Sequence, residues 1–338
     1  MAATRLQSFF ESPDEFLWAF EGDQALFMGM DRQAYHRSIF CDKRLQPLRA
    51  SPVRVGVPDL VAAGRDAAAT FDMQFIFHVA HCGSTLLARA LDLPSENLVI
   101  REPMALRQLA VEKAGGSASG DWPMRLDLVM QMLSRRYAPH APVVVKANVP
   151  VNFMLPDILG RLSDPRAIFL YFPLEDYLAA ILRTPNHRAW VLNVSRELAG
   201  AIGGEDLPPP LAAARLWLAQ MRSFVDALQR WPGARTLDAE TLFSSPHEAL
   251  AAAFAYLGKP RSEADIAAVV ASDLFGRYSK NPAVVFDNAA RVARRERLQL
   301  ELVEELSAAR RWLEPRLNDH PLPERLARAL TGSSPALL

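Results

Sequence analysis

Phe75-Ile76-Phe77-His78-Val79-Ala80-His81-Cys82-Gly83-Ser84-Thr85-Leu86-Leu87 decides the fold. Residues 75–79 form a short, mostly apolar run bounded by a turn, which suits a strand covered on both faces in a parallel sheet. His78 lies within that run and reads as a core histidine. A glycine-containing turn follows, and helical spacing begins at Ser84 and continues to residue 91. A strand that turns into a helix in this way gathers backbone N–H groups around one point, and the helix dipole adds partial positive charge there. Ser84 and Thr85 can cap the helix and donate hydroxyls to an anion. Gly83 permits a ligand oxygen to come close to the backbone. The stretch is not a Walker A loop, because His78 stands at the first glycine position and no lysine precedes Ser84. The alternative is an ordinary helix cap after a buried strand.

Working outward, apolar runs at 97–100, 142–146, 167–172 and 235–237 read as further strands. Helical spacing covers a segment from Met104, then 124–137, 152–162, 174–183, 211–231, 247–257, 263–271 and one long charged helix at 288–317. Strands alternating with helices predict an α/β fold with a mostly parallel sheet flanked by helices. In such sheets ligands bind beyond the C-terminal ends of the strands. Upstream, 16–20 and 25–30 read as strands around the turn Glu21-Gly22-Asp23, 31–39 as a helical turn and 58–68 as a short helix. The predicted organisation is an N-terminal extension (1–70) packed on a core (71–282), followed by a C-terminal helical segment (283–338).

Lys plus Arg and Asp plus Glu number 38 each, so no global charge argues for nucleic acid or an anionic membrane. The two cysteines, Cys41 and Cys82, argue against a disulfide scaffold and for a reduced, cytoplasmic setting. Residues 1–20 do not read as a signal peptide, and no stretch approaches the ~20 apolar residues of a membrane span. No His/Cys/Asp spacing suggests a metal.

Ala80-His81-Cys82-Gly83-Ser84-Thr85-Leu86-Leu87 resembles the 5′-phosphosulfate loop of sulfotransferases, P-[KR]-[ST]-G-[ST]-T-x-L. Gly83, Ser84, Thr85 and Leu87 fit, and His81 takes the basic position. Val145-Lys146-Ala147-Asn148-Val149-Pro150 resembles the family's K-T-H-x-P segment, with Asn148 in the histidine's place. Residues 237–242 and 246–260, ending in Leu257-Gly258-Lys259-Pro260, resemble its late strand and helix. Tyr171-Phe172-Pro173-Leu174-Glu175-Asp176-Tyr177-Leu178-Ala179 is similar to its 3′-phosphate segment, R-x-P-x-D-x-x-x-S, with Tyr171 and Ala179 replacing the arginine and serine.

The resemblance spans 71–282. It implies a P-loop-like sulfotransferase fold, 3′-phosphoadenosine 5′-phosphosulfate as donor, and a small-molecule or carrier-bound acceptor. His81 to Leu86 would hold the 5′-phosphosulfate. Lys146 would stabilise the bridging oxygen, Asn148 would stand in the place of the catalytic histidine, and Glu102, just after the second strand, would be the base that activates the acceptor hydroxyl or amine. Tyr171 sits in the 3′-phosphate segment, with Arg183, Arg277 and Lys280 as compensating cations. Lacking the family's arginine and serine, the chain is expected to discriminate poorly between adenosine 3′,5′-bisphosphate and adenosine 5′-monophosphate, unless the 277–280 loop closes over the 3′ position. Each group also has a purely structural reading. Glu102 could pair with Arg101 or Arg107, Lys146 could snorkel, and 277–282 could be a solvated turn. Arg294-Arg295-Glu296-Arg297 reads as a solvated helix face. Another nucleotide-using phosphotransferase, with Glu175 or Asp176 holding Mg²⁺, and a non-catalytic binding protein are the competing functions.

Overall fold

The computed structural model describes residues 2–64, 71–93 and 96–338. An N-terminal helix, Ala2–Glu11, leads into β1 (Glu15–Glu21) and β2 (Gln24–Gly29), an antiparallel hairpin to which β3 (Val53–Gly56) adds. The predicted hairpin is present. The neighbouring helices run over Arg32–Arg37 and Val57–Gly64, and residues 65–68 of the expected helix lie outside the described residues.

Five further strands form the central sheet: β4 (Gln74–His78), β5 (Leu98–Arg101), β6 (Val143–Lys146), β7 (Ala167–Tyr171) and β8 (Arg235–Asp238), in the order β5-β6-β4-β7-β8. The β5–β6, β6–β4 and β7–β8 pairs are parallel. The fold is α/β, a mostly parallel sheet flanked by helices, as the alternation predicts. β5, β6 and β7 are buried at every position, which explains why they read as continuous apolar runs rather than alternating ones. Strand order reverses at β4, so the loop leaving β4 occupies the usual ligand position of an open α/β sheet.

The chain divides into two compact units. The first comprises residues 1–76 and 88–166, and contains the three-stranded sheet, β5 and β6. The second comprises 77–87 and 167–338, and contains β7, β8 and a small hairpin of β9 (Arg277–Tyr278) and β10 (Asn281–Val285).

Two predicted helices differ in form. Residues 152–162 are not one helix: a 3-10 turn, Val149–Met154, precedes a short α-helix, Leu155–Leu159. Pro150 and Pro156 lack the amide donors that a continuous helix needs. The long charged helix at 288–317 is two helices, Asn288–Glu301 and Val303–Asp319, divided at Leu302, whose ψ of 14° leaves the α region. The helix Pro185–Glu197 was not anticipated, although Thr184 as N-cap with proline at the first position signals it. Among the described residues no helix is long and apolar enough to cross a membrane.

Candidate functional site

In the second unit, the loop after β4 is tightly wound. Ala80, His81 and Gly83 have φ of 71°, 52° and 87°, the left-handed region that costs non-glycine residues about 1–2 kcal/mol each. Cys82 is buried, does not line the pocket described below, and its thiol donates to the Leu170 carbonyl at 3.6 Å. Val79 N–H also donates to Leu170, at 3.3 Å, and Ala80 N–H donates to His78 Nδ1 at 3.0 Å. These bonds fix the loop to β7. Gly83 is required twice over: its φ is positive, and a Cβ there would lie 2.7 Å from Phe243 Cζ. Thr85 Oγ1 is buried and has no hydrogen-bond partner among the described residues. Strain and an unsatisfied hydroxyl in one loop mark a candidate ligand site.

His81, Gly83, Ser84, Thr85 and Leu86 line a pocket of roughly 1000 Å³, open solvent included. Asp176, Ala179, Ala180 and Arg183 enter it from the helix Leu174–Leu182 and its C-cap, at the three- and four-residue spacing of one helix face. Arg277, Tyr278 and Lys280 enter from the β9–β10 hairpin, and Arg291, Arg294 and Arg295 from the helix Asn288–Glu301. Phe172, Phe243, Phe275 and Phe286 supply apolar wall. Cations outnumber the two lining carboxylates, Asp176 and Asp287.

The cations differ in how they are partnered. Arg291 and Arg295 share Glu240, at 2.6 and 2.7 Å, and Arg277 reaches Asp273 at 3.2 Å. Arg183 and Arg294 have no carboxylate partner among the described residues. Arg183 Nη2 instead approaches His187 Nε2 at 2.7 Å, the Tyr278 hydroxyl at 3.1 Å and His81 Nδ1 at 3.4 Å. Arg294 lies over the Phe286 ring at 4.2 Å, and burial, then the Arg183 charge, bring its pKa down to about 10. Burial, with Lys280, Arg183 and His187 adding to it, holds His81 well below the ordinary imidazole range. Its proton is therefore lost at neutral pH unless negative charge arrives.

The structure thus brings together the loop, Arg183, Arg277 and Lys280, all anticipated. Tyr171 does not line the pocket; its buried hydroxyl faces Ser334 and Asp238, and burial raises its pKa. Ala179 does line it. Sequence reading missed His187 and Tyr278. It also read 294–297 as solvent-facing, whereas Arg294 and Arg295 turn inward; Glu296 and Arg297 are exposed, Arg297 towards Glu301. The spacing 291, 294, 295, 298 is the signal that one helix face is involved.

In the first unit, β5 and β6 align Arg101 with Lys146. Glu102 follows Arg101 with φ 57°, its N–H donates to the Lys146 carbonyl at 2.7 Å, and its Oε1 accepts a hydrogen bond from Lys146 Nζ. Lys146 is fully buried, with its ammonium 5.4 Å from the centre of the Phe40 ring. Glu102 therefore pairs with Lys146; Arg101 goes elsewhere, to Asp92 at 2.6 Å and to the carbonyls of Tyr35 and Ser38. Asn148 caps the 3-10 turn without using its side chain, and its Oδ1 is buried with no partner among the described residues.

No protein-family model matches the chain, and no curated protein matches it by sequence. Among solved structures it is similar to the sulfotransferase domain from the curacin biosynthetic pathway, at 13% identity and TM-score 0.40, over 70% of this chain and 99% of that one. It is also similar to a sulfotransferase from Alicyclobacillus acidocaldarius, at 14% and 0.40, over 73% and 96%. A third is the sulfotransferase domain from the Synechococcus PCC 7002 olefin synthase, at 14% and 0.37, over 72% and 96%. Likeness at this level says nothing about activity.

Proposed function

We propose that the chain is a sulfotransferase-like enzyme that binds a phosphosulfate nucleotide, of the 3′-phosphoadenosine 5′-phosphosulfate type, and serves an acceptor hydroxyl or amine on a small or carrier-bound molecule. The observation that carries the reading is the pocket in which a strained, glycine-dependent loop with an unpartnered Thr85 hydroxyl meets Arg183 and Arg294, cations without carboxylate partners among the described residues. Buried phosphate needs charge-assisted donors, and these residues supply them. The sequence motifs quoted above give the reading its chemical class.

When bound, the donor supplies an activated sulfuryl group. Thr85, Ser84 and the loop backbone hold an anionic group, and Arg183, Arg277, Lys280 and Arg294 offset further negative charge. The phenylalanine walls offer ring faces to a nucleobase. Glu102 is proposed as the base for the acceptor, with Lys146 fixing its carboxylate. Asn148 can donate hydrogen bonds but has no basic atom.

Calorimetric titration with adenosine 3′,5′-bisphosphate and adenosine 5′-monophosphate tests the binding half. Arg277 and Lys280 line the pocket with the loop, which supports closure of the 277–280 segment over the 3′ position; with that closure the bisphosphate should bind more tightly. One charge-assisted hydrogen bond at ~1.5–3 kcal/mol makes the difference about tenfold to a hundredfold. Equal affinity would remove these cations from the 3′ position, and no binding of either ligand would favour a non-catalytic protein. For the chemical half, Glu102→Gln should lower kcat by ~10²–10⁴-fold with donor affinity kept. Wild-type turnover would exclude Glu102 as base.

A further inference from the structure

Arg183 can only donate hydrogen bonds. At 2.7 Å from its Nη2, His187 Nε2 must therefore accept, which leaves that nitrogen without a proton. The remaining ring proton sits on Nδ1 and donates to Thr184 Oγ1 at 2.5 Å. His81 Nδ1, 3.4 Å from the same guanidinium nitrogen, also presents a lone pair. The two imidazole rings are 4.4 Å apart. A guanidinium that lines this pocket thus rests on two neutral imidazoles and a tyrosine hydroxyl. An imidazolium at His187 could not accept from Arg183 and would repel it.

An anion entering the pocket reverses both conditions. It draws the Arg183 donors to itself, so His187 Nε2 loses its partner, and its negative charge favours imidazolium. We propose that anion binding in this pocket is proton-linked, the ligand entering together with one proton taken up by His187. This rests on the reading of the pocket as a phosphate- or sulfate-binding site and adds to it the charge state the protein adopts on binding.

The surroundings of His187 support the direction. Arg183 lies one helical turn before it, Lys280 and Tyr278 come from the hairpin, Arg294 from the helix Asn288–Glu301, and His81, with His78 behind it, from the loop. The Asp176 and Asp287 carboxylates line the pocket. Glu305 is engaged by Arg188, and the helix Pro209–Arg230 presents Arg215 beside Ser195, two turns further along. Burial, then Arg183, Lys280 and Arg294, lower the His187 pKa to about 4. The sign follows: with the protein alone unprotonated above about pH 4 and the complex protonated at higher pH, affinity rises as pH falls through the pKa of the complex.

Sulfate is the probe, because its own charge does not change between about pH 5 and 8, where an imidazole titrates. Calorimetry in two buffers of different ionisation enthalpy counts the protons. Wild type should take up a proton and gain affinity by up to about tenfold per pH unit on the acid side. In His187→Gln, whose amide oxygen can still accept from Arg183, both effects should vanish while sulfate still binds. Sulfate binding that is independent of pH, or uptake that persists in His187→Gln, would overturn the proposal. Should that variant fail to fold, the wild-type His187 imidazole resonance decides: a pKa unmoved by sulfate overturns it equally. Failure of sulfate and both adenosine nucleotides to bind at any pH would instead overturn the functional reading and this inference with it.

Discussion

Two sets of cations, one in each unit, are partnered in opposite ways. In the first, Lys146 meets Glu102, and Arg101 meets Asp92 and backbone carbonyls. In the second, Arg183 rests on neutral imidazoles and Arg294 on an aromatic ring, with several other cations nearby. A cation matched by a carboxylate is already committed, and removing its partner leaves a buried charge uncompensated. A cation without such a partner repels its neighbours until an anion arrives. The contrast predicts a stability role for the first set and a binding role for the second, and it can be broken by experiment.

The largest effect is expected in the first unit. Glu102→Leu should cost ~3–5 kcal/mol of stability by denaturant titration, because Lys146 is left charged and buried. Adding Lys146→Met should recover most of that loss, since a buried ion pair exchanged for apolar groups is often nearly neutral. A small cost for Glu102→Leu alone would mean that the pair is not what holds β5 against β6. Arg183→Met should behave oppositely. Stability should stay level or rise, while affinity for adenosine 3′,5′-bisphosphate falls about tenfold to a hundredfold, equivalent to ~1.5–3 kcal/mol. A destabilised Arg183→Met protein with unaltered binding would erase the distinction between the two sets.

The smallest effect sharpens the account of the loop. Ala80 is a non-glycine residue at φ 71°. Ala80→Gly should relieve ~1–2 kcal/mol of strain and give back ~0.4–1 kcal/mol through the greater freedom of the unfolded chain. The net is a gain of up to about 1.6 kcal/mol in denaturant titration. A loss would show that the Ala80 methyl, which is buried, contributes more packing than its backbone costs.

The sequence by itself determined what is local. Apolar runs of strand length located β4 to β8, because burial on both faces removes polar alternation. Turn chemistry located the 81–86 loop, because a left-handed backbone and a close approach both call for glycine at position 83. Proline positions could have refined the 149–159 segment and revealed the helix Pro185–Glu197, since their effect on the next turn is equally local. Tertiary structure decided the partnerships. Glu102 finds Lys146, 44 residues away, only because β5 lies beside β6 in parallel register. Tyr171 is directed towards Ser334 rather than the pocket because alternate residues of a strand point to opposite faces, and the chain on each face comes from distant sequence. Arg294 leaves solvent for the pocket because its helix is rotated to bury Arg291 and Leu298. Periodicity specifies that a helix has faces; which face lines the pocket depends on the elements packed against it.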